Sequence, residues 1–367
     1  MNAIRGDLVE TVCKLATGVR GDVTDVVTNL VDEVAPLIPV AVRRHTITAA
    51  VARLAGLDAL EIHLADDTVD EVMVNSGRHV WIDRNGVIEP AGELPAGTID
   101  VVLERVLSPI GKRVDRMQPI VDVRLRDGSR LCAVIEPVAV DGTTVSIRRH
   151  RPAPFTILHF IEDRSIADLM QEVVSSRCNV LVSGATSSGK TSFLSALLRL
   201  TGGQRVVVCE DTTELSLPGL HCVRLEARRA TADGVPAVDM SSLVRTALRL
   251  RPDRLVVGEF RGGEVLAAVE AMNTGHDGSL ATCHANSAVD ALRRVETLLM
   301  QAAPSWPLPA IRRHVTRSID VVVHIERDVG GRRRVAEIAE VIEGAGEPAV
   351  RTLRPAAGDR LQRSRRQ

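Results

Sequence analysis

The sequence predicts an α/β protein in which a mixed α+β first part precedes a second part built around a parallel sheet. In the second part, short apolar runs alternate with helical stretches, which indicates strands that are buried on both faces. These runs lie at 179–183, 205–209, 254–258 and 279–283. In the first part, residues 71–90 alternate between apolar and polar side chains, which is typical of antiparallel strands.

The composition indicates a folded protein with more than one core. A chain of 367 residues is long enough for two domains. Apolar residues make up 45% and charged residues 25% of the chain, and the net charge of -1 gives no general attraction to nucleic acid. Six cysteines without a Cys-x-x-Cys pair predict buried reduced thiols and no zinc site. No stretch has the length of a signal peptide or membrane span, so we expect a cytosolic protein that meets the membrane through a partner.

The first part begins with helices and continues with strands. Apolar residues at helical spacing within 7–55 predict a helical segment over 1–55. An α+β domain is expected over 56–150, with a three-stranded meander, a helix at 98–114 and further strands. Its turns are predicted at Ser76-Gly77, Asn85-Gly86, Asp127-Gly128 and Asp141-Gly142.

A linker is expected at "HRPAPFT", residues 150–156, because two prolines in five residues separate the two patterns. The second domain is then predicted over 156–345, and its helical stretches lie at 191–200, 239–250 and 262–273. Residues 346–367 read as a polar, disordered tail.

A phosphate-binding loop is the most specific motif. The stretch "GATSSGKT" fits G-x-x-x-x-G-K-T and lies between a predicted strand and a predicted helix. Backbone N–H groups and the positive end of the helix would meet at one point, which suits ATP phosphates, and Mg²⁺ would accompany them. The expected nucleotide-binding residues are Gly184, Ala185, Thr186, Ser187, Ser188, Gly189, Lys190, Thr191 and Ser192. Lys190 would reach the β and γ phosphates, and the Thr191 hydroxyl would bind the magnesium ion.

Acidic residues follow two of the predicted strands. Glu210 and Asp211 end one strand and Glu259 ends another, at the edge where sites lie in open α/β sheets. We expect Asp211 and Glu259 to bind Mg²⁺ with Thr191, and Glu210 or Glu259 to orient the attacking water. Solvated acids in a strand-end turn are the alternative.

Two histidines lie close to the last predicted strand. His276 and His284 are eight residues apart, which does not place them on one helix face as zinc ligands. A contact with the γ phosphate or with an acid would let a histidine report hydrolysis. A solvated loop histidine is the plainer alternative.

Arginines precede the linker. They are Arg113, Arg116, Arg124, Arg126 and Arg130. A solvated strand face is one interpretation. The other is that some of them act as arginine fingers on nucleotide held by the same or a neighbouring subunit.

Taken together, the segments "VSGATSSGKTS", "CEDTTEL", "ALRLRPDRLVVGEFRGGE" and "AMNTGHDGSLATCHANS" resemble the secretion ATPase superfamily of type II secretion, type IV pili and type IV secretion. The likeness is greatest to the CpaF or TadA branch, the tight-adherence (Flp) pilus assembly ATPases, and it covers about residues 60 to 330. It implies a RecA-like P-loop NTPase domain after a PAS-like domain, in a cytoplasmic homo-hexamer docked on inner-membrane platform proteins.

The resemblance also implies a role for each matching residue. Gly184–Thr191 would be the Walker A loop, and Glu259 the Walker B acid. The remaining matches are Glu210, Asp211 and Glu214 as the Asp box, His276 and His284 as the His box, and Arg124 and Arg130 as arginines that approach the nucleotide. Two departures stand out. The tetracysteine zinc motif of some relatives is missing, and the loop reads "ATSSGK" where "GTGSGK" is commoner, with Ser188 expected at a glycine-tolerant position.

The expected function is a mechanochemical ATPase that drives pilus assembly or protein secretion. A VirB11-like type IV secretion ATPase and a RecA-like DNA translocase are the alternatives. An aromatic content of 2%, with no tyrosine, leaves few platforms for nucleic-acid bases and disfavours the translocase. A nucleotide-dependent switch with little turnover is a third possibility, which two well-placed acids disfavour.

Overall fold

A computed structural model describes most of the chain as two compact units, Met1–Arg151 and Pro152–Gln367. The described residues are 2–125, 127–149, 155–215, 217, 219, 221–228, 230, 234–328, 330–344, 347–353 and 359–362, with backbone only for 2–7. The predicted α/β class, with helices at the amino end, is confirmed. Most of the predicted linker, residues 150–154, lies outside the described residues. Among the described helices, none combines the length and apolar character that crossing a bilayer requires.

Three helices open the first unit, as the helical spacing predicted. They are α1 (Asn2–Ala16), α2 (Val23–Val34) and α3 (Val40–Ala55). The Asp22 carboxylate accepts hydrogen bonds from two backbone N–H groups of the first turn of α2 and so caps that helix. The three helices pack around the fully buried side chains of Val12, Val27 and Val31.

An antiparallel sheet forms the rest of the first unit. Its elements are α4 (Glu61–Leu64), β1 (Val69–Asn75), β2 (His79–Arg84), β3 (Val87–Glu93), α5 (Thr98–Leu107), β4 (Ile120–Arg124), β5 (Arg130–Val134) and β6 (Thr144–Arg148). The strand order is β3-β2-β1-β6-β5-β4, and every neighbouring pair is antiparallel. The apolar side of α5 packs into the core of this sheet through Ile99, Leu103 and Leu107.

The second unit is a mixed sheet between two helical layers. Its elements are α6 (Arg164–Ser175), β7 (Val180–Gly184), α7 (Lys190–Leu198), β8 (Val206–Glu210), β9 (Cys222–Glu226), α8 (Met240–Ala247), β10 (Arg254–Val257), α9 (Glu264–Asn273), β11 (Leu280–His284), α10 (Ala288–Ala302), α11 (Leu308–Ser318), β12 (Val321–Arg327), β13 (Arg333–Ile342) and β14 (Ala349–Thr352). The strand order is β14-β13-β12-β7-β11-β10-β8-β9. The six strands β12, β7, β11, β10, β8 and β9 are parallel to one another, whereas β13 and β14 add an antiparallel edge next to β12. Helices α6 and α7 cover one face and α8 to α11 the other.

The structure corrects the sequence prediction in two respects. The four predicted strands are β7, β8, β10 and β11, but β9, β12, β13 and β14 were not predicted, nor were α6, α10 and α11. The expected tail is also too long, because Ala349–Thr352 pairs with β13 and Leu353 is buried. Residues 354–358 and 363–367 of that tail lie outside the described residues.

A buried asparagine fixes the relative positions of the central strands. The Asn179 amide donates to the carbonyls of Met272 and Ser318 and accepts from the Ser279 N–H. These bonds tie the start of β7 to the start of β11 and to the segment that leads into β12. Paired in this register, the strands bring Gly184 beside His284 on one side and Ile325 on the other.

Candidate active site

The loop after β7 is shaped to receive a phosphate group. Gly184 and Gly189 have φ angles of +155° and +100°, which glycine adopts most readily. An added Cβ at Gly184 would lie 2.6 Å from Ser188 Oγ, and one at Gly189 would lie 2.6 Å from Arg333 Cδ. Both glycines therefore keep the loop close to its surroundings, and α7 begins directly at Lys190. The amino end of α7 adds a positive partial charge at this point.

One residue of this loop departs from the sequence prediction. Ser187, rather than Ser188, takes the left-handed conformation, with a φ of +61°. Ser188 is buried and packs toward Gly184. The serine that stands in the glycine-tolerant position is therefore Ser187, where the left-handed backbone costs about 1 kcal/mol.

The Lys190 ammonium is held inside the loop. Its Nζ donates to the carbonyl oxygens of Gly184 at 3.1 Å and Ala185 at 2.9 Å. It also lies 3.4 Å from Nδ1 of His284. The side chain is buried, and this burial lowers the pKa of Lys190. A buried cation whose partners are neutral carbonyl oxygens and an imidazole nitrogen is well placed to bind an anion.

His284 connects Lys190 to the acid that follows β10. Its Nε2 lies 2.6 Å from Oε1 of Glu259. Because an ammonium can only donate, Nδ1 of His284 accepts from Lys190 and the ring proton is then on Nε2, which contacts Oε1 of Glu259 without forming an aligned hydrogen bond. Burial, followed by the Lys190 charge, lowers the pKa of His284, which agrees with this neutral tautomer. Arg261 donates to Oε2 of Glu259 and lies 3.8 Å from Asp211.

Glu210 faces its own loop. The carboxylate is buried, and its Oε1 accepts from the backbone N–H groups of Glu214 and Leu215, each at 3.0 Å. Burial raises the pKa of Glu210 to about 7. In this conformation Oε1 of Glu210 is therefore engaged by its own loop, and a role for Glu210 toward the phosphate stays a prediction. The carboxylate orders the loop that brings Glu214 Oε2 to 3.5 Å from the Thr191 hydroxyl.

His276 lies at the other end of β11. The strand begins at Leu280, which pairs with Val180 at the start of β7, and His276 precedes it by four residues. The expectation that both histidines belong to one site is therefore wrong within a subunit. The strand separates the two side chains, so that of this pair only His284 lies beside the loop.

The two predicted arginines belong to the first unit. Arg130 forms a two-pronged ion pair with Asp122, with N–O distances of 2.9 and 2.6 Å. Arg124, opposite Arg130 on β4, donates to the Gly128 carbonyl at 3.4 Å. Arg126 lies outside the described residues.

The residues around Thr191 fit a magnesium ion. Mg²⁺ in nucleotide sites keeps several waters and takes one or two protein oxygens besides the phosphates. The Thr191 hydroxyl and the Glu214 carboxylate converge at that position, and Asp211 and Glu259 are linked through Arg261 nearby. Within the described residues, no three histidine, cysteine or acidic side chains form a ready-made metal cluster. Such a cluster is not needed for a metal held mainly by phosphate and water.

A small cavity of about 240 Å³ adjoins the outer side of the loop. Thr186, Ser188, Asn286 and Arg327 are among the residues that line it.

Ser192 lies in the first turn of α7, one residue after Thr191. All nine predicted nucleotide-binding residues therefore lie at the carboxyl end of β7, in the loop that follows it or in the first turn of α7.

Two residues at the site were not among the predicted site residues. Arg261 follows Glu259 by two positions, and Glu214 had entered only through the resemblance. The charged sequence "GEFRGGE" was the available signal for Arg261. Nothing in the local pattern showed which way its side chain turns.

A strand, a glycine-shaped loop, a buried lysine at a helix start and an acid on a nearby strand together define a P-loop nucleotide-binding domain. Residues 54–353 match the family model described as type II/IV secretion system protein. The chain belongs to that family, and it is an ATPase of the family.

Individual relatives agree with this assignment. A Mycobacterium tuberculosis protein named for conjugal transfer is 37% identical over 316 residues, which cover 82% of this chain and 88% of the relative. The type IV secretion system protein PtlH of Bordetella pertussis is 30% identical and covers 77% and 93%. The structure of the pilus retraction motor PilT with bound ADP shares the fold, with a TM-score of 0.54, 16% identity and coverage of 81% of each chain.

The buried Glu210 carboxyl predicts a pH-dependent stability. Its folded pKa of about 7 lies above the ordinary 4.5, so between these values the folded chain binds more protons than the unfolded chain. Stability should therefore fall as pH rises from 4.5 to 7 and level off above that. Replacing Glu210 by Gln keeps the carbonyl acceptor and should stabilise the second unit by about 2 kcal/mol at pH 8 and by almost nothing at pH 4.5.

The measurement is thermal unfolding of the full chain at the two pH values. The matched control is Glu172→Gln on the exposed side of α6, for which no such difference is expected. Equal effects of Glu210→Gln at both pH values would contradict the assignment.

Proposed function

We propose that this ATPase is a motor that hydrolyses Mg-ATP as a homo-hexamer and moves a membrane partner in pilus assembly or secretion. The observation that carries the proposal is the connected series Lys190, His284 and Glu259 at the mouth of the phosphate loop. This series links a phosphate-binding cation to a candidate catalytic acid through one neutral imidazole. It has the parts that are needed to sense as well as to hydrolyse.

Each residue has a defined chemical task in this proposal. The loop N–H groups and Lys190 hold the β and γ phosphates, and Thr191 with Glu214 holds Mg²⁺ and its waters. Mg²⁺ held by these residues would supply positive charge to the phosphate oxygens. Glu259 orients the attacking water, and Arg261 fixes that carboxylate through its other oxygen. Glu210 acts indirectly, by holding the loop of Glu214.

The His284 contacts offer a way for the site to respond to bound phosphate. Lys190 now bonds to two carbonyls of its own loop, and phosphate oxygens would compete for the same ammonium protons. When Lys190 turns to phosphate, His284 Nδ1 loses its donor and the hold on Glu259 changes. The state of the phosphate is thus coupled to the position of the catalytic acid.

Arg124 and Arg130 are proposed as the arginines that complete the site from the first unit of the same or a neighbouring subunit. Arg124 is the better candidate, because its guanidinium makes one long bond to a carbonyl, whereas that of Arg130 is held by Asp122 through two bonds. A ring of six subunits, peripheral to the cytoplasmic face of the membrane through platform proteins, would use such contacts to coordinate turnover.

The likeness of the segments at 184–192 and 245–287 to tight-adherence pilus ATPases supports pilus assembly as the first candidate process. Relatives named for conjugal transfer and type IV secretion favour a second candidate, export through a type IV secretion channel. One engine serves all these processes, and the membrane partner decides between them. Nucleic acid is not proposed as the direct substrate.

Loss of the Glu259 carboxylate should lower ATP turnover much more than it weakens nucleotide binding. Glu259→Gln removes the water-orienting charge and should lower steady-state phosphate release by about a hundredfold or more while Mg-ATP still binds. Lys190→Ala should abolish both. The control Glu270→Gln makes the same charge change on the exposed side of α9. Unimpaired phosphate release by Glu259→Gln would remove the proposed role, and stimulation of the wild type by DNA would favour a translocase.

Arg124→Ala should lower turnover by about a hundredfold or more and leave the affinity for Mg-ADP unchanged, because an arginine finger stabilises charge that develops in the transition state. Arg148→Ala is the matched control, since this exposed arginine lies on β6 opposite Arg130. Wild-type turnover in the Arg124 variant, measured under conditions that permit ring assembly, would rule the finger out.

Deleting the gene in its host should abolish tight-adherence pili, and a Glu259→Gln copy should fail to restore them. Electron microscopy of the cell surface and a DNA-transfer assay would be run on the same strains. Intact pili with lost DNA transfer or protein export would instead assign the motor to a type IV secretion system.

A further inference from the structure

The hairpin of β12 and β13 extends past the phosphate loop. Ile325 is paired beside Gly184, so the end of β12 at Arg327 and its partner Arg333 lie beyond the edge of the sheet where the loop lies. Arg333 begins β13, and its Cδ is the atom nearest to a Cβ placed on Gly189. The stem of Arg333 is therefore packed against the residue that precedes α7.

The Arg333 guanidinium lies over an aromatic ring. Its Cζ is 5.3 Å from the centroid of Phe155. The ring of Phe155 is half-buried and also contacts Phe160, with centroids 5.8 Å apart. Phe160 meets Phe193 of α7 edge to face at 5.2 Å. Phe160 and Phe193 thus connect the pair of Arg333 and Phe155 to the helix that starts at the phosphate loop.

We propose that Arg333 and Phe155 form the platform on which the base of the bound nucleotide stacks. This inference rests on the proposed ATPase function and names its base subsite. In this proposal the β and γ phosphates occupy the loop, and the α phosphate and the ribose extend from it past the first turn of α7. Gly189 and the packed stem of Arg333 lie at that exit. A guanidinium plane and a phenyl ring are surfaces on which nucleobases stack.

The composition of the platform also predicts its selectivity. Stacking uses the flat face that every base has, and neither Phe155 nor the stem of Arg333 reads the edge of a base. Discrimination between adenine and guanine should therefore be small, within about threefold in affinity. A purine should bind better than bare polyphosphate because only the purine reaches the platform.

Neighbouring arginines of the hairpin provide matched controls. Arg332 pairs with Glu162 at 2.5 Å, and Arg334 pairs with Glu326 at 3.2 Å. Both carry the same charge as Arg333, within one residue of it, and neither is stacked on Phe155 in the structure. A variant of either changes the charge of the hairpin without changing the platform.

The test is calorimetric titration of the full chain, in the presence of Mg²⁺, with ADP and separately with inorganic tripolyphosphate. Arg333→Ala should weaken ADP binding by about tenfold and change tripolyphosphate binding by less than about twofold. Arg333→Lys keeps the charge and should behave like Arg333→Ala. Phe155→Leu should weaken ADP selectively by about threefold or more. Arg334→Ala should alter neither titration.

The outcomes separate the platform from the phosphate loop. Unchanged ADP affinity in both the Arg333→Ala and Phe155→Leu variants would overturn the platform and leave the ATPase proposal standing. Equal losses for ADP and tripolyphosphate would also overturn it, because Arg333 would then act on phosphate charge. A wild-type chain that binds neither ligand would overturn the nucleotide site itself. Thermal unfolding of each variant, compared with Arg334→Ala, shows whether it is folded.

Discussion

The register between β7 and its parallel neighbours is the constraint on which the site depends. Parallel strands bring their carboxyl ends to one edge, so Gly184, His284 and Ile325 lie side by side. The buried Asn179 amide holds the other ends of the same strands. A slip of one residue would move His284 away from Lys190 and turn it toward the opposite face. The positions of the phosphate loop, the histidine and the arginine hairpin all follow from this pairing.

Burial determines what these groups do once they are in place. Lys190 keeps its charge in a site with little water, where carbonyl oxygens replace part of its hydration, and its pKa is lowered as a result. The same desolvation and the lysine charge lower the pKa of His284 beside it. The proton-bearing nitrogen of that histidine lies 2.6 Å from a carboxylate oxygen of Glu259. The arrangement costs stability locally and is ready for an anion, which is expected of a binding site rather than a structural core.

The sequence predicts the parts of this fold that rest on strong local patterns. Runs such as "VVVCE" have no polar break and are buried on both faces, and the glycines of the loop have few other uses at a strand end. The β13–β14 edge could not be predicted, because strand β14 has only four residues and gains its stability from a partner. The inward turn of Glu210 was equally hidden. A carboxylate at a strand end can face a ligand or cap its own loop. Here two backbone N–H groups of the loop donate to the Glu210 carboxylate and hold it there.

The shapes of lysine and arginine side chains explain why each of them stands where it does around the phosphate loop. The chain has three lysines among 46 basic residues, and one of them is Lys190. A phosphate group between loop amides needs a compact charge on a flexible stem, which an ammonium supplies and a planar guanidinium does not. Farther along the same loop, beside Gly189, a guanidinium is the better cation. The guanidinium of Arg333 is flat and weakly hydrated, so its stem can cover the backbone while its plane stacks on Phe155. Lys190 and Arg333 are therefore not interchangeable. Each has the shape that its side of the loop demands, and exchanging them would remove both the phosphate contact and the stacking surface while leaving the net charge the same.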